Sequence, residues 1–248
     1  MTFWEHLDVL RGSLIRIAVA LFVAAGVAFY WKEALFSVVL APCRADFFLY
    51  RWMGLEPMDI QLVNVALTEQ FMTHMKVALT VGFLAASPYI LYILFRFVSP
   101  ALYENERRHS VGIVLWAYLL FMTGVAVNYL LVFPLTARFL GNYQVDESVA
   151  NMFTITSYID TLTAMSLVFG ILFELPVLAW LLARFGLLHA RWMTRYRRHA
   201  VVAILIVAAI ITPTGDPLTL LLVSLPIWLL YELSVGIVAS TEKSRNSQ

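Results

Sequence analysis

Long apolar runs, separated by charged segments, are the feature that most restricts the fold of this 248-residue chain. Hydrophobic residues make up 61% of the sequence, whereas Asp, Glu, Lys and Arg together make up only 13%. A soluble domain carries about 25% charged residues, so this composition predicts a membrane protein. Because the bilayer core offers no water to backbone N–H and C=O groups, we expect the apolar runs to be α-helices.

The runs predict an all-α polytopic membrane protein with six transmembrane helices, each compared with the ~20 residues that cross a bilayer. The predicted spans are residues 14–31, 71–95, 111–133, 161–183, 200–211 and 218–238, and they form a single transmembrane domain over residues 1–248. The fifth span has about 12 apolar residues, or ~18 Å of helix. We therefore predict a short hairpin of spans five and six, which thins the bilayer or lies inside other subunits.

Prolines interrupt spans two, four and six at Pro88, Pro176 and Pro226. Proline removes a backbone donor and kinks a helix, so we expect a kinked bundle with a concave face. The alternative is that the kinks only help the bundle to pack.

Lys and Arg residues are distributed unevenly between the two sides of the predicted membrane. The N-terminal segment, the second and fourth loops and the tail hold most of the 17, and the other side holds only Lys32, Arg44, Arg51, Lys76 and Arg138. This bias places both termini in the cytoplasm, in agreement with an even number of spans. No basic n-region or A-x-A-like cleavage site accompanies the first run, so we expect it to be retained.

Glu174 is the strongest single signal for function, because it lies in the middle of the fourth span. A carboxylate at that depth costs about 2.5–3.5 kcal/mol on insertion scales, so a polar partner, a proton or a wet cavity is expected beside it. The alternative is a protonated Glu174 that bonds the carbonyl freed near Pro176.

Carboxylates on the predicted cytoplasmic side form the second candidate site. Asp8 precedes Arg11 before the first span, and Glu104 and Glu106 follow the second span. Paired carboxylates at a membrane surface suit bidentate capture of guanidinium groups from a basic peptide. The alternative is that these side chains are solvated or paired with neighbours such as Arg107.

Catalytic and cofactor motifs are missing from the sequence. No G-x-S-x-G, H-E-x-x-H or phosphate-loop motif occurs, and no histidine has a metal partner at ligand spacing. Cys43 is the only cysteine and is expected to be a packing residue. We therefore expect no enzymatic activity, no cofactor or metal and, in the absence of a basic block, no nucleic-acid partner.

An ordered set of short motifs resembles the TatC family over nearly the whole chain. Residues 6–14, H-L-D-V-L-R-G-S-L, resemble H-L-x-E-L-R-x-R-L, and residues 68–71, T-E-Q-F, resemble T-E-P-F. Residues 87–92 and 97–108 resemble S-P-x-x-x-Y and F-x-x-P-x-L-Y-x-x-E-R-R, and residues 173–176 match F-E-x-P. Pro42, the I-T-P turn before Asp216, and L-P…L-Y-E at residues 225–232 complete the set.

The resemblance implies the receptor subunit of the Sec-independent twin-arginine translocase in the bacterial inner membrane. The residues that it assigns to signal-peptide binding at the cytoplasmic face are Asp8, Arg11, Phe97, Pro100, Glu106 and Arg107. It assigns Glu174 to insertion of signal peptide or partner helices, and Pro42, Glu69 and Asp216 to periplasmic or structural motifs. It further implies TatA- and TatB-type single-span partners on spans five and six, homo-oligomers, and transport driven by the proton-motive force.

Two other classes of protein fit part of the pattern. A proton-coupled small-molecule carrier also uses an intramembrane Glu and broken helices, but carriers commonly contain internal repeats, and this chain shows no convincing one. An intramembrane enzyme would need a nucleophile and a base at similar depth, and no such pair is visible. Asp8 lies one position before the Glu of the family motif, which aligns with Val9, and Gln70 stands where the family has Pro.

Overall fold

The structure, a computed structural model, describes residues 3–54, 60–98, 110–144, 146, 151–212 and 216–246. Helices dominate this part of the chain. In order, its elements are α1 (Phe3–Tyr30), α2 (Lys32–Val39), a 3₁₀ turn (Ala41–Cys43), α3 (Phe48–Trp52), β1 (Leu62–Val63), α4 (Glu69–Val98), α5 (Ser110–Val127), a π-helical turn (Asn128–Val132), α6 (Phe133–Asn142), β2 (Phe153–Thr154), α7 (Ile155–Leu172), α8 (Leu175–Arg184), α9 (Ala190–Arg195), α10 (Arg197–Ile211) and α11 (Pro217–Asn246).

Five helical segments of the described chain are long and apolar enough to cross a membrane. They are Leu7–Tyr30, Glu69–Phe97, Val111–Asn142, Ile155–Arg184 and Pro217–Ser244, and they overlap predicted spans one to four and six. The predicted fifth span falls in α10, whose 15 residues extend only ~22 Å, against ~30 Å of hydrocarbon. A sixth span therefore stays a prediction.

The helix bounds correct the sequence prediction at two places. The sixth predicted span, 218–238, was expected to be short, but α11 has 30 residues, because the polar residues after Val238 continue the helix. In the same way α1 begins at Phe3, well before the apolar run. Polar residues limit how far a helix lies in hydrocarbon without limiting the helix itself.

The prolines in the predicted spans have different local effects. Pro88 and Pro226 lie inside the continuous helices α4 and α11. Near Pro176 the helix is interrupted: α7 ends at Leu172 and α8 begins at Leu175. Pro176 then occupies the first turn of α8, where a missing N–H leaves no bond unmade. The concave kinked bundle stays a prediction.

The chain forms two compact units, and the first comprises Met1–Met122 and Gln144–Thr163. Here α1 packs along α4, and Gly82 allows a close approach, since a Cβ on it would lie 2.6 Å from the Cα of Ala25. The rings of Phe29 and His74 stack between the same helices with centroids 3.9 Å apart. β1 and β2 pair in parallel, with Leu62 opposite Phe153.

The second unit comprises Thr123–Tyr143 and Ala164–Gln248. Its helix α11 packs against α8 and α10, around a small core of Ala179, Ala183 and Val238. The π-helical turn places the buried Asn128 so that its Nδ2 donates to Ser166 Oγ at 2.9 Å. A single domain over the whole chain stays a prediction.

Candidate functional site

The predicted signal-binding residues are only partly within the described chain. Asp8 and Arg11 lie on the first turns of α1 and are exposed, and neither forms an ion pair with another described residue. Because α1 starts at Phe3, the backbone of Asp8 lies within a helix, which fixes the position from which its side chain extends. Phe97 lies half-buried in the last turn of α4. The other members of the predicted site, Pro100, Glu106 and Arg107, lie outside the described residues.

Glu174 lies at the break between α7 and α8. Its backbone N–H donates to the Ile171 carbonyl at 3.0 Å, and its own carbonyl accepts from Leu178 N–H at 2.9 Å, so the chain turns here without losing these bonds. The residue lies about ten residues, or ~15 Å, before the Arg184 end of the apolar segment Ile155–Arg184. Glu174 thus lies within an apolar segment long enough to cross a membrane, and its depth in the bilayer stays a prediction.

The carboxyl group of Glu174 is poorly satisfied. Its Oε1 is buried and has no hydrogen-bond partner among the described residues, so the structure gives this oxygen no bond to a freed carbonyl. Packing beside it is tight, because a Cβ on Gly124 would lie 2.5 Å from the Phe169 carbonyl oxygen and 2.8 Å from the Phe173 ring. A buried polar atom without a partner costs about 1–3 kcal/mol. This cost favours a functional reason for Glu174.

Glu69 binds two segments that are distant in sequence. Its Oε2 accepts the N–H groups of Val65 at 2.8 Å and Ala66 at 3.1 Å, and its Oε1 accepts the N–H of Thr156 at 3.2 Å. The residue is buried, with 8% of its surface exposed. These charge-assisted bonds join the β1 loop and the start of α4 to the start of α7, so Glu69 acts as a structural clasp.

The other two structural residues have local partners. The carbonyl of the buried Pro42 accepts the hydroxyl of Tyr50 at 2.9 Å, which closes the loop after α2. Asp216 Oδ1 accepts the N–H of Thr219 at 2.7 Å, the bond of an N-cap residue at the start of α11. The predicted structural motifs thus lie at loop closures and helix ends.

The structure contains an ion pair between α4 and α7 that the sequence analysis did not predict. Lys76 Nζ lies 2.7 Å and 2.9 Å from the two carboxylate oxygens of Asp160. Lys76 lies two helical turns beyond Glu69, and Asp160 lies one turn beyond Thr156. These spacings differ, so the sequence offered no signal that would pair Lys76 with Asp160. Among the described residues, no group of His, Cys, Asp and Glu could hold a metal ion.

Almost the whole chain matches one family of proteins. The profile described as the Sec-independent protein translocase protein TatC matches residues 5–226. The chain belongs to the TatC family. This membership identifies it as a component of Sec-independent protein translocation, in a family of membrane transport proteins that are not enzymes. It also decides against a small-molecule carrier.

Individual TatC relatives are similar over nearly their full length. The TatC of Koribacter versatilis (strain Ellin345) is 34% identical over 237 residues, which cover 96% of this chain and 84% of that protein. The TatC of Aquifex aeolicus (strain VF5) is 32% identical over 246 residues, covering 98% of each. A crystal structure of the twin arginine translocase receptor TatC has a TM-score of 0.78 and 31% identity, covering 95% of this chain and 99% of that one. The TatC fold of the chain is therefore shown.

Proposed function

We propose that this chain is the receptor that binds the twin-arginine signal peptides of folded precursor proteins at the cytoplasmic face of the bacterial inner membrane. The observation that carries the proposal is the similarity, over 95% of the chain, to a solved twin arginine translocase receptor. The positions of Lys and Arg support cytoplasmic termini. The exposed Asp8 on α1 would then face the compartment from which precursors come.

Asp8 and Glu106 supply the charges that recognise the signal in this proposal. Each carboxylate pairs with one guanidinium group by charge-assisted hydrogen bonds, which are geometrically specific for arginine over lysine. Asp8 has no ion-pair partner among the described residues, so it can accept a ligand without first breaking a bond. Phe97, Pro100, Arg107 and Arg11 shape the surface around the two carboxylates.

Glu174 takes a separate step in the proposed mechanism. Its partnerless Oε1 offers an acceptor within the apolar segment to a polar group on an inserting helix. TatA- and TatB-type single-span subunits dock beside α10 and α11, where the short α10 matches a thinned bilayer. Further copies of the chain assemble in the same translocase, and the proton-motive force drives transport.

Photocrosslinking from position 9 tests the proposed receptor function. Val9 is exposed beside Asp8, so a photoreactive residue there reports on ligands without removing the carboxylate. We expect the membrane-embedded chain to crosslink a signal peptide with Arg-Arg, and to lose the crosslink when the pair is Lys-Lys. Position 65 provides a control, because Val65 is 76% exposed on the side predicted to be periplasmic. Crosslinks that ignore the arginines would overturn the proposal.

A matched pair of charge substitutions tests the role of Asp8. Asp8→Asn removes the proposed partner of a signal arginine, and Asp46→Asn removes another exposed carboxylate from the loop before α3. Hydrogen bonds to charged groups contribute about 1.5–3 kcal/mol, so Asp8→Asn should weaken peptide binding by at least tenfold. Asp46→Asn should not change the affinity. Equal affinities for both variants would remove Asp8 from the site.

A further inference from the structure

Residues 190–198, which comprise α9, Tyr196 and the first two residues of α10, form a segment that is fixed to the last helix by three bonds. The N–H of Ala190 donates to Glu242 Oε2 at 3.3 Å, and the Tyr231 hydroxyl donates to the Met193 carbonyl at 2.7 Å. Arg197 Nη2 lies 2.8 Å from Glu232 Oε2. The side chain of Met193 also packs against the core of Ala179, Ala183 and Val238. One side of the segment is therefore anchored on α11.

The anchors set the direction of the segment. Ala190 bonds to Glu242, and Arg197 bonds to Glu232. These two acids are ten residues, or ~15 Å, apart on α11. The segment thus runs along α11 instead of ending beside its last turn. It leads into α10, whose 15 residues are shorter than the hydrocarbon core. If α10 spans a thinned bilayer, phospholipid headgroups lie close to its first residues.

The side of the segment away from α11 carries alternating basic and aromatic residues. We call this surface the basic strip; it consists of Arg191, Trp192, Arg195, Tyr196 and Arg198, all exposed. The acids Glu232 and Glu242 bond to Arg197 and to the N–H of Ala190. Arg191, Arg195 and Arg198 therefore have no acidic partner among the described residues. Three cations remain available to a ligand.

The aromatic residues of the strip suit a membrane interface. Trp192 is 55% exposed and Tyr196 is 53% exposed. Their rings contact His189, with centroids 4.9 Å from Trp192, and His199, with centroids 5.5 Å from Tyr196, so neighbouring rings limit their motion. Trp and Tyr are enriched at headgroup depth because one end is apolar and the other is polar.

We infer that the basic strip binds the headgroup of an anionic phospholipid. Arginine binds phosphate bidentately, and basic pockets beside transmembrane helices bind acidic headgroups. The anchors on α11 hold the arginines in place before the lipid arrives, which lowers the ordering cost of binding. The inference does not depend on signal-peptide recognition, since no residue of that proposed site belongs to the strip.

Lipid titration of the full-length chain tests the inference. Native mass spectrometry in neutral detergent measures binding of phosphatidylglycerol and phosphatidylcholine to the unmodified chain and to Arg195→Gln/Arg198→Gln. Each basic residue near a membrane contributes about 1 kcal/mol, so the double variant should bind phosphatidylglycerol roughly thirtyfold more weakly. Arg44→Gln/Arg51→Gln is the matched control, because it removes the same charge from exposed residues elsewhere and should keep the affinity.

Further variants and ligands distinguish a headgroup site from a general effect of charge and from a protein-binding surface. Arg195→Lys/Arg198→Lys keeps the charge but loses the bidentate geometry, so it should bind the lipid more weakly than the unmodified chain and more tightly than the Gln pair. An unchanged Tm of each variant shows that the fold is intact. Equal weakening by both Gln pairs would reduce the effect to net charge and overturn the site. Unchanged lipid affinity, together with lost binding of a signal peptide, would assign the strip to a protein ligand instead. Displacement of the lipid by inorganic phosphate at equal concentration would exclude a lipid-specific site.

Discussion

Gly82→Ala is expected to destabilise the first unit through the contact between α1 and α4. The added Cβ would lie 2.6 Å from both the N and the Cα of Ala25 and 2.8 Å from its Cβ. Because two of these atoms are backbone, a helix must shift to relieve the overlap. Overpacking costs about 1–3 kcal/mol, and the higher helix propensity of Ala offsets up to about 1 kcal/mol. With an overpacking cost of about 3 kcal/mol and an offset of about 1 kcal/mol, we expect the free energy of unfolding to fall by about 2 kcal/mol.

Thermal unfolding in detergent measures the effect of Gly82→Ala. A chain of this size loses about 2–4 °C in Tm per kcal/mol, so the Tm should fall by about 4–8 °C. Gly26→Ala is the matched control, since Gly26 also lies within a helix but has nothing within 4 Å of its added Cβ; its Tm should stay or rise. Ala25→Gly should not rescue Gly82→Ala, because the backbone overlap remains. Equal Tm values for the two alanine variants would refute the close approach.

Three further predictions concern single carboxylates. Glu69→Gln should speed proteolysis within residues 60–68, because a neutral amide holds the Val65 and Thr156 N–H groups less tightly; Glu33→Gln, an exposed acid in α2, is the control. Asp216→Ala should cost about 0.5–2 kcal/mol in unfolding free energy through loss of the N-cap, and Asn should largely restore it. The Glu174→Leu variant should unfold no more easily in detergent than the unmodified chain, since the substitution removes a buried atom without a partner. The variant should still bind a twin-arginine peptide, but it should not transport a precursor into membrane vesicles.

Hydropathy predicted where the long apolar helices lie better than it predicted where helices end. The first run was assigned to residues 14–31, but α1 begins at Phe3, because Glu5, Asp8 and Arg11 are compatible with a helix outside the bilayer. α11 likewise continues past Val238. The apolar period reports burial in lipid, whereas helix ends depend on caps and on contacts between distant segments.

The candidate residues were predictable as chemical groups, but their partners were not. Glu174 was visible as an acid inside an apolar run, whereas the unmet bonding of its Oε1 depends on the three-dimensional packing around it. The T-E-Q-F motif indicated Glu69 without indicating Thr156, which comes 87 residues later. The pairing of Lys76 with Asp160 was missed for the same reason. A single sequence supplies periodicity within each helix but no register between helices.

The Glu69 clasp also restricts the order in which the chain can fold. The bond from Thr156 to Glu69 closes a chain segment of 87 residues, and closing a segment of that length has an entropic cost that local contacts avoid. During synthesis, α1 and α4 can pair as soon as residue 98 has left the ribosome, whereas the clasp must wait for residue 156. The bond to Thr156 is therefore a late contact, whereas the bonds from Val65 and Ala66 to Glu69 can form as soon as α4 has begun.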